Sequence, residues 1–318
     1  MENKTALITG GSGYLGSHLS KALKKAGWNV VIFDLRVPMH RYYDNLYIGD
    51  IIDADCVSEV LGHYKIDTVF HLAGRIEVGE SMKHPTTFWN VNVGGTANLL
   101  YHMKYYGIDK IIFSSTAAVY LPDKIPLDEE QIQCSNSVYG NTKRACEQMI
   151  LDSGMHYGIF RYFNLAGADP AGEMGEMHDP ETHLIPNILK NLNTFEIYGN
   201  DYNTKDGTCV RDYVHVSDVA DAHVKAAMKV GEESFILNLG LGKGYTILDI
   251  ISIIESELKI KVNYTFAKRR LGDPDFLVAN VDLAKTKLDF KPKHDITSIV
   301  KTAYGWHKKL SENDRIKI

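Results

Sequence analysis

The sequence predicts an α/β chain: a Rossmann-type doubly wound parallel sheet, then a smaller C-terminal α/β lobe. Three observations predict it. A glycine-rich turn, Gly10-Gly11-Ser12-Gly13-Tyr14-Leu15-Gly16, lies between an apolar strand ending at Thr9 and an amphipathic helix. Continuous short apolar runs then alternate with helical periodicity as far as Ser114, as strands buried on both faces do. From about residue 165, glycines, prolines and loops increase and the elements become short and mixed. The expected boundary gives 1–165 and 166–318, with segments such as 219–230 packing back on the first domain.

The first strand, turn and helix form one device. Glycines turn the backbone tightly and let a pyrophosphate approach it, and the helix N-terminus offers N–H groups and a positive dipole end. The helix over 16–27 buries Leu19, Leu23 and Ala26 and exposes Lys21, Lys24 and Lys25. The second strand, Asn29–Phe33, ends on Asp34, placed to accept from an adenosine ribose. A carboxylate there repels a 2′-phosphate, so the expected cofactor is NAD. A third strand ends at Ile51. Asp50 and Ile51 read either as an edge for adenine or as a helix N-terminal carboxylate and its neighbour. A helix over 53–63 and a strand over 68–72 follow, and Ala73-Gly74 allows close approach to the cofactor. A long helix over 85–106 carries Asn90, Asn92, Gly94 and Gly95. The strand over 110–114 ends in Ser114-Ser115-Thr116. Gly10, Asp34, Asp50, Ala73 and Thr116 all fall at C-terminal strand ends, where ligands bind in such sheets. The expected cofactor set is Gly10, Gly13, Tyr14, Leu15, Gly16, Asp34, Asp50, Ile51, Leu72, Ala73, Gly74, Asn92 and Phe163, with Tyr139 and Lys143.

Composition narrows the class. The chain has 318 residues, 44% hydrophobic and 24% charged, with a formal net charge of −5. That length suits two domains, and that charge argues against a general nucleic-acid binder. No apolar run is long enough to span a bilayer, and no signal peptide precedes the first strand. Cys56, Cys134, Cys146 and Cys209 lie far apart without CxxC spacing, which suggests packing residues in a reducing cytoplasm. His178 and His183 are five apart, poor spacing for one helical face, so no metal site is expected.

Tyr139 and Lys143 stack a phenol and an ammonium on one helical face. A tyrosine titrates near 10, so a neutral-pH base needs about 4 kcal/mol from its surroundings. Lys143 and a positive nicotinamide are the expected sources. Thr116 bridges Tyr139 and a substrate hydroxyl, and the set takes a proton from an alcohol as hydride leaves its carbon. In the second lobe, Tyr162-Phe163-Asn164 lies at a strand end near the cofactor. Arg211 and Arg270 match a diphosphate, each also readable as a surface ion pair. Tyr198 is placed to stack on a flat base, and Asp273 to accept from a sugar hydroxyl.

These residues resemble the UDP-glucose 4-epimerases, extended short-chain dehydrogenases/reductases, over nearly the whole chain. The generic motifs are Thr9–Gly16 and Tyr139…Lys143. The specific ones are Val78-Gly79-Glu80-Ser81, Arg161–Gly167, Gly199–His215 and Arg269–Asp273. The resemblance implies that Tyr139 deprotonates the sugar 4-hydroxyl, that tightly held NAD takes and returns the C4 hydride through a 4-keto sugar, and that Lys143 holds the nicotinamide ribose. It implies UDP-sugar contacts at Thr116, Asn164, the Leu184 backbone, Tyr198, Arg211, Arg270, Asp273 and Leu277, and a homodimer through helices at 90–106 and 137–155. Val138, His183 and Asn203 depart from the common family residues. Ile76 stands where many members carry a cofactor-contacting lysine. Leu277 stands where members restricted to unsubstituted hexoses often carry tyrosine, which implies tolerance of UDP-N-acetylhexosamines.

Rival readings differ at named positions. A 4,6-dehydratase typically has an Asp-Glu pair directly after the threonine, where this chain has Ala117-Ala118. A net dehydrogenase needs an exchangeable cofactor. A non-catalytic NAD-sensing module keeps the glycines but has no need of Tyr139, Lys143 and Thr116 together.

Overall fold

The computed structural model describes residues 4–121, 125–270 and 273–316. The chain forms two compact units: Met1–Leu121 with Glu130–Tyr162 and Ala220–Leu237, and Pro122–Glu129 with Phe163–Val219 and Asn238–Ile318. In chain order the first half holds β1 (Thr5–Thr9), α1 (Tyr14–Lys25), β2 (Asn29–Asp34), β3 (Asn45–Ile48), α2 (Ala54–His63) and β4 (Thr68–His71). It continues with α3 (Val78–Lys83), α4 (Pro85–Phe88), α5 (Gly95–Tyr105), β5 (Lys110–Thr116), α6 (Val138–Asp152) and β6 (His156–Tyr162). The rest holds β7 (Asn164–Ala166), α7 (Leu184–Lys190), β8 (Phe195–Tyr198), β9 (Val210–His215), α8 (Val216–Lys229) and β10 (Phe235–Leu239). Last come β11 (Gly244–Thr246), α9 (Ile247–Leu258), β12 (Tyr264–Ala267), β13 (Phe276–Leu277), α10 (Asp282–Leu288) and α11 (Ile296–Ile316).

The seven-stranded sheet runs β10-β6-β5-β4-β1-β2-β3, the doubly wound order. Its pairs from β3 to β6 are parallel. β1 and β4 are central and read as continuous apolar runs because helices cover both faces. Leu7, Val31, Val69, Ile111 and Phe113 meet Val57, Leu99, Met103, Cys146 and Ile150 in its core. Each such buried side chain contributes about 1.5–3 kcal/mol.

Two local outcomes depart from the sequence reading. The third strand ends at Ile48 rather than Ile51, because Asp50 opens a turn: its carbonyl accepts from Asp53 N at 3.1 Å and its Oδ1 from Ile52 N at 3.2 Å. The helix N-terminal carboxylate is Asp53, which caps α2 by accepting from Asp55 N and Cys56 N. The long helix is not uniform either. A π-helical turn, Trp89–Gly94, joins α4 to α5.

In the second unit β9 is the spine. It pairs with β11, β13 and β7, while β8 and β12 form a separate parallel pair. The core gathers Ile185, Ile188, Phe195, Ile197, Ile250, Ile254, Ile299 and Val300. α9 starts where its sequence says it should: Thr246 Oγ1 accepts from Asp249 N and Asp249 Oδ2 accepts from Thr246 N, both at 3.0 Å. Among the described residues no helix is long and apolar enough to cross a membrane. Cys146 and Cys209 are buried, but Cys134 is exposed and is not a packing residue.

Candidate functional site

The first unit carries its candidates on the C-terminal ends of β1, β2, β4 and β5. Gly10 has φ +74°, and a Cβ there would lie 2.8 Å from Ala73 N, so β1 and β4 close together only around glycine. A Cβ on Gly16 would lie 2.4 Å from Gly10 O, so α1 rises directly off the turn. α1 has no side-chain cap at Gly13 and no acid in its first turn. Asp34 faces this turn: its Oδ2 accepts from Ser12 N at 2.9 Å and its Oδ1 from Arg36 N at 3.3 Å. A glycine cradle, an uncapped helix start and a fixed carboxylate one strand away fit NAD: pyrophosphate on the helix, ribose on Asp34.

Other expected cofactor positions have more structural work than the sequence indicates. Ile51 is buried, and a Cβ on Gly95 would meet its Cγ2 at 2.7 Å. Asn92 is buried with its amide engaged: Oδ1 accepts from Arg75 N at 2.8 Å, and Nδ2 donates to Arg75 O at 3.1 Å and Thr142 Oγ1 at 3.0 Å. It pins the 73–75 turn to α6. Ala73 N donates to Thr9 Oγ1 at 3.2 Å, with Leu72 N on Thr9 O at 3.1 Å.

Tyr139 and Lys143 lie one turn apart on α6, both buried. The Thr116 hydroxyl acts on the Tyr139 phenol. Burial pushes the phenol up to about 12, and the Thr116 hydroxyl pulls it part of the way back. The expected depression by Lys143 is not there. The ammonium instead donates to Ser114 O at 3.0 Å and lies over the Phe113 ring, 4.8 Å from its centroid. A Cβ on Gly74 would lie 3.5 Å from Lys143 Nζ, so the ammonium sits beside the 73–75 turn.

Sequence reasoning missed three supports. Ser81 Oγ accepts from Tyr139 N at 3.1 Å and donates to Val78 O at 2.6 Å, fixing the tyrosine backbone. The Val78–Ser81 motif was the available signal. Glu147 and Arg161 form a fully buried pair: Arg161 Nε donates to Oε1 at 3.0 Å and Nη2 to Oε2 at 2.7 Å. Ser115 donates to the same carboxylate and Arg161 Nη1 to Tyr120 Oη at 2.9 Å, so α6 is tied to β5 and β6.

The third support is His71, the last residue of β4. Its Nδ1 lies 2.8 Å from Thr9 Oγ1 and its Nε2 2.9 Å from Thr96 Oγ1. Thr96 Oγ1 donates to Asn92 O at 2.6 Å, so the ring is assigned as the Nε2–H tautomer. Burial, and then the Lys143 charge, push this imidazole down to about 3. The unfolded chain takes a proton near 6.5 that the folded chain refuses until about 3. This share of stability is therefore complete above about 6.5 and drains as pH falls, by about 2 kcal/mol at pH 5. Denaturant unfolding from pH 7.5 to 5 should show that slope, and His71→Gln should flatten it; an unchanged slope in the variant refutes the assignment.

The second unit carries the remaining candidates on and around β9. Asn164 pairs in register with Tyr213, and its Nδ2 donates to Asp212 O at 2.8 Å. Arg211 Nη1 donates to Val210 O and Pro274 O, both at 2.9 Å, and Nη2 lies 3.5 Å from Asp273 Oδ1. Leu277 is the register partner of Arg211. The Arg270 guanidinium lies over the Tyr198 ring, 4.1 Å from its centroid. Leu184 opens α7, and Phe163 is buried with its N–H on Leu239 O at 3.1 Å. The unit thus brings together a diphosphate-matching arginine, an aromatic face under a second arginine, and the aspartate between them.

The expectation of no metal site rested on helical spacing, and that spacing argument does not apply to this segment. Residues 176–183 are irregular rather than helical, and the loop folds Glu176, His178, Glu181 and His183 together, one potential ligand atom each within 4.8 Å.

The NAD dependent epimerase/dehydratase family matches residues 6–240. The chain is 43% identical to a UDP-glucose 4-epimerase of Rhizobium meliloti, over 98% of this chain and 99% of that one. Among solved structures it is similar to a UDP-glucose-4-epimerase of Stenotrophomonas maltophila with bound NAD and formylated UDP-arabinopyranose. The TM-score is 0.93 at 33% identity, over 98% of this chain and 100% of that one. A UDP-glucose 4-epimerase of Bifidobacterium longum in complex with NAD+ and UDP gives 0.92 at 33% identity, over 96% and 98%. These matches span the fold, the glycine turn and the Tyr139–Lys143 helix together, and the chain belongs to the NAD dependent epimerase/dehydratase family.

Proposed function

We propose that the chain interconverts UDP-glucose and UDP-galactose by inverting C4 through a 4-keto sugar. The observation that carries this reading is buried Tyr139, one turn from Lys143 and with Thr116 acting on its phenol, on the same unit as the glycine turn and Asp34. NAD, when bound, supplies a hydride acceptor and donor for C4 and a positive charge that favours phenolate. Gly10, Gly13, Tyr14, Leu15, Gly16 and Asp34 hold its adenosine half, and Asp50, Ile51, Leu72, Ala73, Gly74, Asn92 and Phe163 shape the rest of its site. Tyr139 accepts the 4-hydroxyl proton and returns it at the second step. Thr116 orients the phenol and passes the proton. Lys143 keeps its charge turned towards the 73–75 turn, where a ribose hydroxyl takes its remaining donors. In the second unit Arg211 and Arg270 neutralise the diphosphate, Tyr198 stacks on uracil, and Asn164, the Leu184 backbone and Asp273 hold the remaining polar groups. The first unit then carries most of the residues assigned to NAD and the second most of those assigned to the UDP-sugar, with no net redox change.

The test is UDP-galactose given to the purified chain without added NAD. UDP-glucose should appear; no product, or product only as NAD is consumed, overturns the proposal. Leu277, the register partner of Arg211, is smaller than the tyrosine that resemblance would place there, so UDP-N-acetylglucosamine is also epimerised. Leu277→Tyr should lower kcat/KM for that sugar roughly tenfold or more relative to UDP-glucose, and equal loss on both sugars refutes the role.

The active species is a cytoplasmic homodimer. Trp89, Tyr101 and Tyr105 are 42%, 69% and 73% exposed along the α4–α5 run, more apolar surface than a solvated helix usually shows. Light scattering should return twice the mass of one chain, and Tyr101→Asp with Tyr105→Asp should halve it. A monomeric mass for the unchanged protein ends this part of the proposal.

A further inference from the structure

We propose that Glu176, His178, Glu181 and His183 form a structural binding site for a divalent transition metal, with zinc the best match. The four residues lie on one loop, away in sequence from every residue assigned to NAD or to proton transfer. Their ligand atoms converge within 4.8 Å. His178 Nδ1 is 3.2 Å from Glu176 Oε1 and 3.8 Å from Glu181 Oε1. His183 Nδ1 is 2.5 Å from Glu176 Oε1 and 3.8 Å from Glu181 Oε1. Ligands about 2.0–2.2 Å from a tetrahedral ion sit about 3.3–3.6 Å from one another, within this spread.

Two observations separate this cluster from a chance gathering of charges. Glu176 is 3% exposed, and two imidazole nitrogens crowd its Oε1 as ion-pair contacts, at 2.5 Å from His183 and 3.2 Å from His178, without good hydrogen-bond geometry. Two imidazoles gathered on one buried carboxylate oxygen leave that oxygen to be balanced by their own protonation or by a cation bound among them. The carboxylates are also positioned in advance. Glu181 Oε1 accepts from Thr182 N and His183 N, both at 3.0 Å, and the Glu176 backbone is held by Trp306 Nε1 on its carbonyl at 3.1 Å.

Charge and ligand type choose the ion. Two carboxylates offset a divalent cation, and two imidazoles favour zinc or cobalt over magnesium or calcium. Four protein ligands leave no open position, so the site is structural rather than catalytic. The other cations nearby are Lys190, with Nζ 3.7 Å from Glu181 Oε2, and His307 when protonated. His183 directly precedes Leu184, so the ion fixes the entry to α7; that consequence rests on the role proposed for Leu184, whereas the metal site itself does not.

The experiment uses the full chain stripped with chelator and titrated with zinc chloride or cobalt chloride. One equivalent of zinc should bind and raise the melting temperature, and cobalt should give the visible absorption of a tetrahedral site. His183→Ala removes a ligand whose side chain is 45% exposed, so the fold tolerates it. Glu176→Gln removes a second ligand at nearly constant volume. Each should weaken zinc binding by more than the roughly 10–100-fold that loss of an outer-shell partner costs. Absence of saturable binding by the unchanged chain, or equal binding by both variants, overturns the site and leaves a buried histidine–glutamate ion network. These readouts do not depend on epimerase activity, so failure here and failure of the proposed function are distinguishable.

Discussion

Tyr139→Phe should lower turnover by roughly 10²–10⁴-fold, the range for loss of a positioned acid–base group, with NAD still bound. The variant keeps the ring and loses only the hydroxyl. The nearest groups are poor substitutes: Thr116 and Ser81 are hydroxyls, and the Lys143 ammonium is committed to Ser114 O. The phenol is pushed up to about 12 by burial, so its ionisation depends on positive charge brought by the ligand. With no phenol left to ionise, the variant's activity should not recover at high pH. Single-turnover reduction of bound NAD by UDP-sugar, read at 340 nm, reports the chemical step. Near-normal reduction with a folded protein removes Tyr139 from the proposed mechanism.

Glu147→Ala should destabilise the chain by about 3–5 kcal/mol, because it strands a buried guanidinium. Arg161 has no exposed side-chain surface, and both parallel bonds to Glu147 would be lost. The reading is specific: the cost lies in the unpaired charge, not in the pair's net worth. Glu147→Ala combined with Arg161→Met should recover most of the loss. Urea unfolding of the two variants decides this, and a loss below about 1 kcal/mol in the single variant contradicts it. Glu147 stands one turn beyond Lys143 on α6, so the same change should also loosen the helix that carries the proposed base.

What the sequence made legible was local. A glycine turn, an apolar strand and a terminal acid are neighbours in the chain, and their order carries their meaning. The doubly wound parallel sheet followed from apolar runs up to Ser114, whereas the edge strands β3, which is partly exposed, and β10, far along the chain, were less legible. The missed features are the ones that need three dimensions. Glu147 and Arg161 are separated by 14 residues, and each alone reads as an ordinary surface charge. His71 reads as one member of a strand, with nothing to reveal the threonines on either side of its ring. Helical spacing kept His178 and His183 apart because that argument assumes a helix, and the segment is irregular. Asp50 was assigned to a strand that its own side chain terminates. Around β9, the sequence supplied Arg211, Asp273 and Leu277 as separate candidates, and strand pairing makes them neighbours.

The π-helical turn at Trp89–Gly94 has a meaning for the register of this helix. A turn of that kind holds one residue more than an α-helical turn and is the less favoured geometry. It persists where Asn92 reaches Arg75 on one side and Thr142 on the other. Regularity has been given up at one place so that a single amide can bridge two segments, while α4 and α5 on either side remain ordinary helix. The wider turn thus shifts the register of α5 relative to α4, and the Asn92 amide fixes that shift in place.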